Sequence, residues 1–178
     1  ASNGGFKEAQ LALKCANVYG GYMSDGHAAV WSSFQPDEDG FIGIVIVGIN
    51  LTEGRLSRLV HRLLDIETYR ILAIEALPLA RRTMEKLDRL EPELDAIMAS
   101  LADKSEEDEE KLLGQITSIV ARAEHIVSST AYRFAAAKAY EDIVLRRMSE
   151  IREEILDGHQ RITVFLNKSF RPAMRTCE

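Results

Sequence analysis

Four charged residues lie beside the apolar positions of two predicted helices, and these are the side chains that could do chemistry. Glu67 and Arg70 belong to the first helix, and Arg133 and Glu141 belong to the second. If the helices run antiparallel with their turn near Lys104, residues whose numbers sum to about 207 face each other. This register predicts that Arg70 lies near Glu141, as part of a polar cluster between the two helices.

The same register places Glu67 near Lys138 or Tyr140, and Glu75 near Arg133. Ion pairs between two apolar seams fix the helix register, because sliding by one heptad would otherwise cost little free energy. We interpret the cluster as such a lock, which predicts a lower melting temperature for Glu67→Ala. A polar pocket or an interfacial ion site is the alternative, since a ligand site also needs charges at a seam.

The remaining reactive residue types show no recognised spacing. The four histidines, His27, His61, His125 and His159, form no pair that could bind one metal ion from a single helix face. Cys15 and Cys177 lie at opposite ends of the chain and match no disulfide or zinc pattern. Phosphate-binding glycine motifs and nucleophile motifs are absent from the sequence. We therefore predict no catalytic, cofactor-binding or metal site, and a protein that is not an enzyme.

Two acidic stretches are interpreted as structural. Residues 37–40 lack the alternating ligands and the distal Glu of a calcium loop, so they predict a hairpin turn. Residues 106–110 are five consecutive acids after Ser105, which can cap a helix. We expect these acids to complement the helix dipole and to aid solubility rather than to hold a cation.

The composition indicates one folded domain. The chain has 178 residues, of which 46% are hydrophobic and 28% charged, with a net charge of −6. This composition excludes a disordered chain, and the negative charge argues against a nucleic-acid partner. No run of 18 apolar residues occurs, so no segment is expected to span a bilayer. The start has neither an initiator Met nor a signal peptide, which suggests an excised fragment with any anchor outside it.

The elements that must position these residues predict a mostly helical α+β fold. Residues 17–23, 28–34 and 41–47 are strand-like and predict an antiparallel β-meander within residues 1–50, packed on helices. Neither face of 28–34 is clearly polar, which is consistent with partial cover on both sides.

Residues 51–178 predict a long antiparallel helical hairpin plus a C-terminal helix, as one elongated structural unit. The first long helix follows Thr52, with kinks or breaks expected near Pro78 and Pro92, and the second covers 105–157. A third helix starts near Arg161 and is bent by Pro172.

Several stretches carry a family resemblance. The most specific are GRLSRLVHRLLDIETYR at 54–70 and LPLAR at 77–81; the others are VWSSF at 30–34, DGF at 39–41, YRF at 132–134 and PAMRTC at 172–177. Over roughly residues 15–178 the chain resembles a bacterial family of uncharacterised membrane-anchored proteins, domain of unknown function 3422. His61 and Pro92 depart from that family's usual pattern.

The resemblance implies no biochemical activity. It implies the soluble region of a bacterial inner-membrane protein, on the cytoplasmic side, with the membrane segments outside these residues. Unpaired cysteines agree with that compartment. We expect a non-catalytic interaction or self-association module, with a second copy or another protein as its partner and no cofactor.

The architecture is also similar to the cytoplasmic part of CorA-type magnesium transporters. The alternative is therefore a regulatory domain of a CorA-like divalent metal-ion transporter, which rests on fold analogy alone.

Overall fold

The computed structural model describes residues 4–102 and 109–177, and it has the expected mostly helical α+β architecture. In chain order the elements are α1 (Gly4–Leu13), β1 (Tyr19–Met23), β2 (Ala28–Ser32), β3 (Ile44–Gly48), α2 (Glu53–Ile74), α3 (Leu77–Ala102), α4 (Glu109–Glu150) and α5 (Ile162–Arg175).

The three strands form the predicted antiparallel meander in the order β1-β2-β3. Val30 in the central strand pairs with Gly21 on one side and Ile46 on the other. The acidic stretch at 37–40 is a turn, as expected. The Asp37 carboxylate accepts the backbone N–H of Asp39 at 3.1 Å and of Phe41 at 2.8 Å, and Gly40 has φ 84°. The positive φ explains the glycine.

Helices cover both faces of the sheet, which confirms the interpretation of the apolar central strand. All five residues of β2 are buried. Val30 and Phe34 belong to the main hydrophobic core with α2, α4 and α5, whereas Trp31 packs with Ala9 of α1 in a second cluster. The alternating side chains of one strand therefore enter two separate apolar layers.

Helix α1 is an element that the sequence analysis did not predict. Ala9 is fully buried, and Leu13 packs in the same cluster as Trp31. The helix is only ten residues long, so its contribution to the 3.6-residue periodicity is small. Tertiary contact with the sheet gives this segment its place.

Helices α2 and α3 are separated by a short break at residues 75–76, close to the expected position near Pro78. Pro78 is the second residue of α3, where its missing N–H has no intrahelical partner to lose. Helix α3 continues through Pro92 as one element. Thr52 precedes α2 as expected, but its backbone carbonyl, not its hydroxyl, accepts the first helical N–H groups.

Helix α4 ends at Glu150, seven residues before the expected end. Residues 151–160 instead run along the free edge of β1, where Tyr22 and Glu154 exchange backbone hydrogen bonds of 3.2 and 2.8 Å. This contact pairs edge groups of the sheet that a continued helix would leave open. The expected start of the helix at Ser105 lies outside the described residues.

Helix α5 packs back onto the rest of the molecule. Its buried residues recur every four positions: Ile162, Leu166, Phe170 and Met174. Glu153 caps its N-terminus, because the carboxylate accepts the backbone N–H of Ile162 at 2.7 Å and of Thr163 at 2.8 Å. The irregular segment after α4 therefore serves both the sheet edge and the start of α5.

Candidate functional site

The predicted polar cluster contains a buried ion pair on α2. Arg70 donates from Nε to Glu67 Oε2 at 2.8 Å, and the two side chains are only 13% and 11% exposed. Arg70 also donates to the Phe34 carbonyl at 3.4 Å, and its guanidinium lies 5.7 Å from the Phe34 ring centre. The pair therefore connects α2 to the end of the β2 region.

A second pair lies on α4. Lys138 Nζ donates to Glu141 Oε2 at 2.9 Å, and the Glu141 side chain is 8% exposed. Cys177, beyond α5, lies close enough for the Glu141 charge to act on it. Burial first, and that negative charge second, raise the pKa of the Cys177 thiol. The thiol stays protonated at neutral pH, a form that is a poor nucleophile.

The expected helix register is close to the observed one. Arg133 lies 3.9 Å from Glu75, with both side chains more than half exposed, and the Tyr69 and Tyr140 ring centres are 5.6 Å apart. This register places Glu67 and Glu141 on the same turn of the antiparallel α2–α4 pair. Glu67 and Glu141 are both buried, each bonded to a base on its own helix, whereas Arg133 is exposed at the surface.

A further ion network joins the same two helices and escaped the sequence analysis. Arg147 donates to Asp65 at 2.8 Å and to Glu150 at 2.7 Å, and Arg62 donates to Glu150 at 3.2 Å. The hydrogen bond from Arg147 is the largest cause that lowers the pKa of Glu150. A base followed three residues later by an acid on each helix is the signal that could have revealed it, because antiparallel packing then brings each base opposite an acid.

Beyond these pairs, α3 and residues 109–134 of α4 form a two-helix unit that we call the arm; the remaining described residues are the base. The two helices of the arm are in contact at Arg122 of α4, whose two terminal guanidinium nitrogens both donate to the Glu93 carboxylate of α3, one at 3.0 Å. Within the described residues, the buried hydrophobic side chains of the arm are Ala80, Ile97 and Ile126. The arm therefore has a narrow interior.

Nine large apolar side chains of the arm are exposed, and we call the surface formed by eight of them, all except Tyr132, the apolar face. The exposed fractions of these eight run from 44% for Leu101 to 64% for Leu113 and Val127. The set is Met84, Leu87, Leu94, Met98 and Leu101 of α3 with Leu113, Val120 and Val127 of α4. Met84, Leu87, Leu94 and Leu101 recur along α3 at the spacing of an amphipathic helix, but the structure leaves them open to solvent.

The position of these residues relative to the seam puts them on one side of the arm. The side of α4 that packs on α3 includes Leu112, Ile119 and Ile126, and Leu113, Val120 and Val127 each follow one of these by one position, about 100° around the helix. Met84 and Met98 follow the less exposed Thr83 and Ile97 of α3 in the same way. When two helices run antiparallel, residues that follow the contact positions by one place lie on the same side of the pair in both helices. The exposed side chains therefore form one continuous surface rather than scattered contacts.

The opposite side of the arm carries a groove between the helices. Arg89, Ser118 and His125 each precede a seam residue by one position, and all three line this groove. Leu90, Ala121 and Ile126 also line it, and of these Ile126 is buried. The Arg122–Glu93 pair crosses it, and the hydrogen bond from Arg122 lowers the pKa of Glu93. Basic side chains predominate on this side of the arm, in contrast to the apolar face.

The described residues contain no group of three His, Cys, Asp or Glu side chains arranged to hold a metal ion. Within the same ranges, no helix combines the length and the apolar character needed to cross a membrane. The arrangement that stands out chemically is the open apolar surface of the arm.

Comparison with known proteins gives one family match. A family model described as a protein of unknown function, DUF3422, covers residues 6–178. No curated protein matches the chain, and no solved structure does.

Proposed function

The chain belongs to the DUF3422 family, and we propose that it acts as a non-catalytic interaction or self-association module whose contact surface is the apolar face of the arm. The observation that carries this proposal is the exposure of eight large apolar side chains along one side of two paired helices. Contiguous apolar patches of this kind are uncommon on monomers and mark sites of association.

Two packed helices can bury only part of their apolar surface against each other. The contact between α3 and α4 covers one seam on each helix, and the wider apolar stripe of each helix remains outside it. In the base, the sheet and α5 supply the further layers that cover α2 and the end of α4. In the arm, the exposed apolar side chains would be buried in the same way when another surface docks on them.

The buried polar cluster supports a structural role rather than catalysis. Glu67 is paired with Arg70, and Glu141 with Lys138, so these charges neutralise one another inside the helix pair. Both pairs join residues three positions apart on one helix, so they neutralise buried charge locally. The ion pairs that cross between α2 and α4, and so favour one register, are Arg147 with Asp65 and Arg62 with Glu150.

The proposal includes location: the module lies on the cytoplasmic side of the bacterial inner membrane, in a protein attached through other segments. The family resemblance supports the attachment. The free cysteines support the cytoplasmic side of the membrane. Cys15 and Cys177 form no disulfide and lie against different hydrophobic clusters. Free thiols suit a reducing compartment.

Light scattering behind size exclusion tests the proposal. We expect the wild-type chain to associate as its concentration rises, and the triple variant Leu94→Gln, Met98→Gln, Val120→Gln to remain a single chain. The matched control replaces exposed apolar residues of the base, Phe41→Gln with Ile155→Gln, which are 72% and 66% exposed. It should associate like the wild type. Equal masses for the triple variant and the wild type would contradict the proposal.

The transporter alternative is tested in the same runs, with chelator and then with millimolar magnesium. A regulatory domain of a CorA-like transporter should form a ring only when the cation is present. Association that ignores the cation supports the interaction module.

A further inference from the structure

We infer that the arm binds a second copy of this chain head to tail, with the apolar face of one copy on the groove side of the next. This inference rests on the proposed function and names its partner. It follows from the distribution of charge between the two sides of the arm, which the apolar pattern alone does not reveal.

The apolar face has an acidic border. Asp88 and Asp95 follow Leu87 and Leu94 by one position, and Glu91 occupies the exposed stripe between those leucines. On α4, Glu124 lies on the same side as Val120 and Val127. Within residues 80–101 and 112–128, Arg81 is the single basic residue on this side.

The groove side has the opposite charge. In the same ranges its basic residues are Arg82, Lys86, Arg89 and Arg122, and its one acid is Glu93, which Arg122 neutralises. No residue in the described part of the chain forms an ion pair with Arg82, Lys86 or Arg89. Glu85 lies on the outer edge of α3, between the two sides. Three cations are therefore available to a partner.

Charge decides between the two ways in which copies can meet. Two apolar faces brought together would place Asp88, Glu91, Asp95 and Glu124 of one copy near the same four acids of the other. Like charges in an interface disfavour association, whereas complementary charges favour it and set the orientation. Docking the acid-bordered apolar face on the basic groove side satisfies both surfaces at once.

The shapes of the two sides also match. The interior of the groove is apolar, with Leu90 and Ile126, and Lys86 and Arg89 also line it. A ridge of leucine, methionine and valine side chains with acids beside it is the complement of that surface. Packing ridges into grooves is how helix layers reach interior density.

The available area is sufficient for a stable contact. Helix α3 has 26 residues, which gives the arm a length of about 39 Å at 1.5 Å per residue. Two helices of about 10 Å diameter make each side roughly 800 Å², which equals the usual contribution of one partner to a specific interface. Since each copy has both surfaces, head-to-tail contact produces a ring or an open filament.

A complementation experiment with two charge-reversed variants tests the inference. The acidic-side variant is Glu91→Arg with Glu124→Arg, and the groove-side variant is Lys86→Glu with Arg89→Glu. All four positions are exposed, so both variants should keep the wild-type melting temperature. Each variant alone should run as a single chain in light scattering. An equimolar mixture should associate again, because an intact surface of each kind remains and the two reversed surfaces carry opposite charges.

Lys168→Glu with Arg171→Glu, exposed on α5, is the charge-matched control and should associate like the wild type. If the groove-side variant alone associates like the wild type while the Leu94, Met98, Val120 triple variant does not, head-to-tail binding is wrong and like-to-like contact through the apolar face replaces it. If the wild type and the triple variant are both single chains, the proposed function fails as well.

Discussion

The base and the arm use the same kind of amphipathic helix but differ in how many layers cover it. In the base, Ala137, Val144 and Met148 of α4 are buried beneath α2, α5 and the sheet. In the arm, Leu112, Ile116 and Ile119 of the same helix are only half-buried against α3. The seam is continuous in sequence, so its periodicity does not report how much of it is covered. The difference separates a region that stabilises the fold from one that is available for binding.

Core truncation should give the largest difference between the two regions. Phe170→Ala removes a side chain that is 1% exposed, and we expect a loss of about 4 kcal/mol in the free energy of unfolding. Leu94→Ala on the apolar face should change it by less than about 0.5 kcal/mol in the single chain. Chemical denaturation at low protein concentration measures both. Similar losses would remove the distinction.

The buried ion pair should be nearly as important as the core. Glu67→Ala leaves Arg70 buried without its carboxylate, which should cost about 3 kcal/mol. For a chain of this size the melting temperature should fall by about 6–12 °C. Glu75→Ala, which removes the exposed partner of Arg133, is the control and should cost less than about 1 kcal/mol. An unchanged melting temperature for Glu67→Ala would contradict the structural role of this buried pair.

Alanine substitutions at two glycines, one in the base and one in the arm, should change the stability of the protein in opposite directions. A methyl group at Gly20 in β1 would collide with the Trp31 ring and lie 2.5 Å from the Val30 carbonyl oxygen, so Gly20→Ala should cost about 2 kcal/mol. A methyl group at Gly114 in α4 meets nothing within 4 Å. Gly114→Ala should stabilise the arm by about 0.5–1 kcal/mol, since alanine favours helix. Thermal unfolding followed by circular dichroism checks both signs.

The smallest expected effect is the acid sensitivity of the arm. Arg122 holds the pKa of Glu93 below its ordinary value of 4.5, so the pair stabilises the folded arm above that pH. The contribution is lost as pH falls through the lowered pKa, because the protonated form cannot keep the ion pair.

Glu93→Gln should therefore flatten the pH dependence of stability below about pH 4.5, while Glu85→Gln should leave it unchanged. Denaturation curves between neutral and acidic pH compare the three proteins. Identical acid limbs for Glu93→Gln and the wild type would exclude this role for the pair.

Local sequence signals predicted the strand order and most of the helix layout. Glycines at the turns were enough to predict the meander. Apolar residues on both sides of β2 were enough to indicate that both faces of the sheet could be covered. The register also followed from the sequence: Glu75 faces Arg133, as the assumed turn position required. Register is predictable because two long seams and a short connection allow few alternatives.

The parts that were missed depend on tertiary contact. Helix α1 is held by the sheet, and α4 ends early because residues 151–160 pair with the edge of β1. The exposure of Met84 and Leu87 could not follow from periodicity, because a helical stripe looks the same whether one neighbour or three cover it. The placement of Arg133 at the surface, away from the buried Glu67 and Glu141, likewise depends on which elements pack around α4.

Amide hydrogen exchange at increasing protein concentration tests the central claim most directly. If the arm associates through its faces, amides of α3 and residues 109–134 should gain protection as concentration rises, while those of β2 and α5 stay unchanged. The Leu94, Met98, Val120 triple variant should lose that concentration dependence. Arm amides whose exchange is the same at every concentration in the wild type would contradict the account.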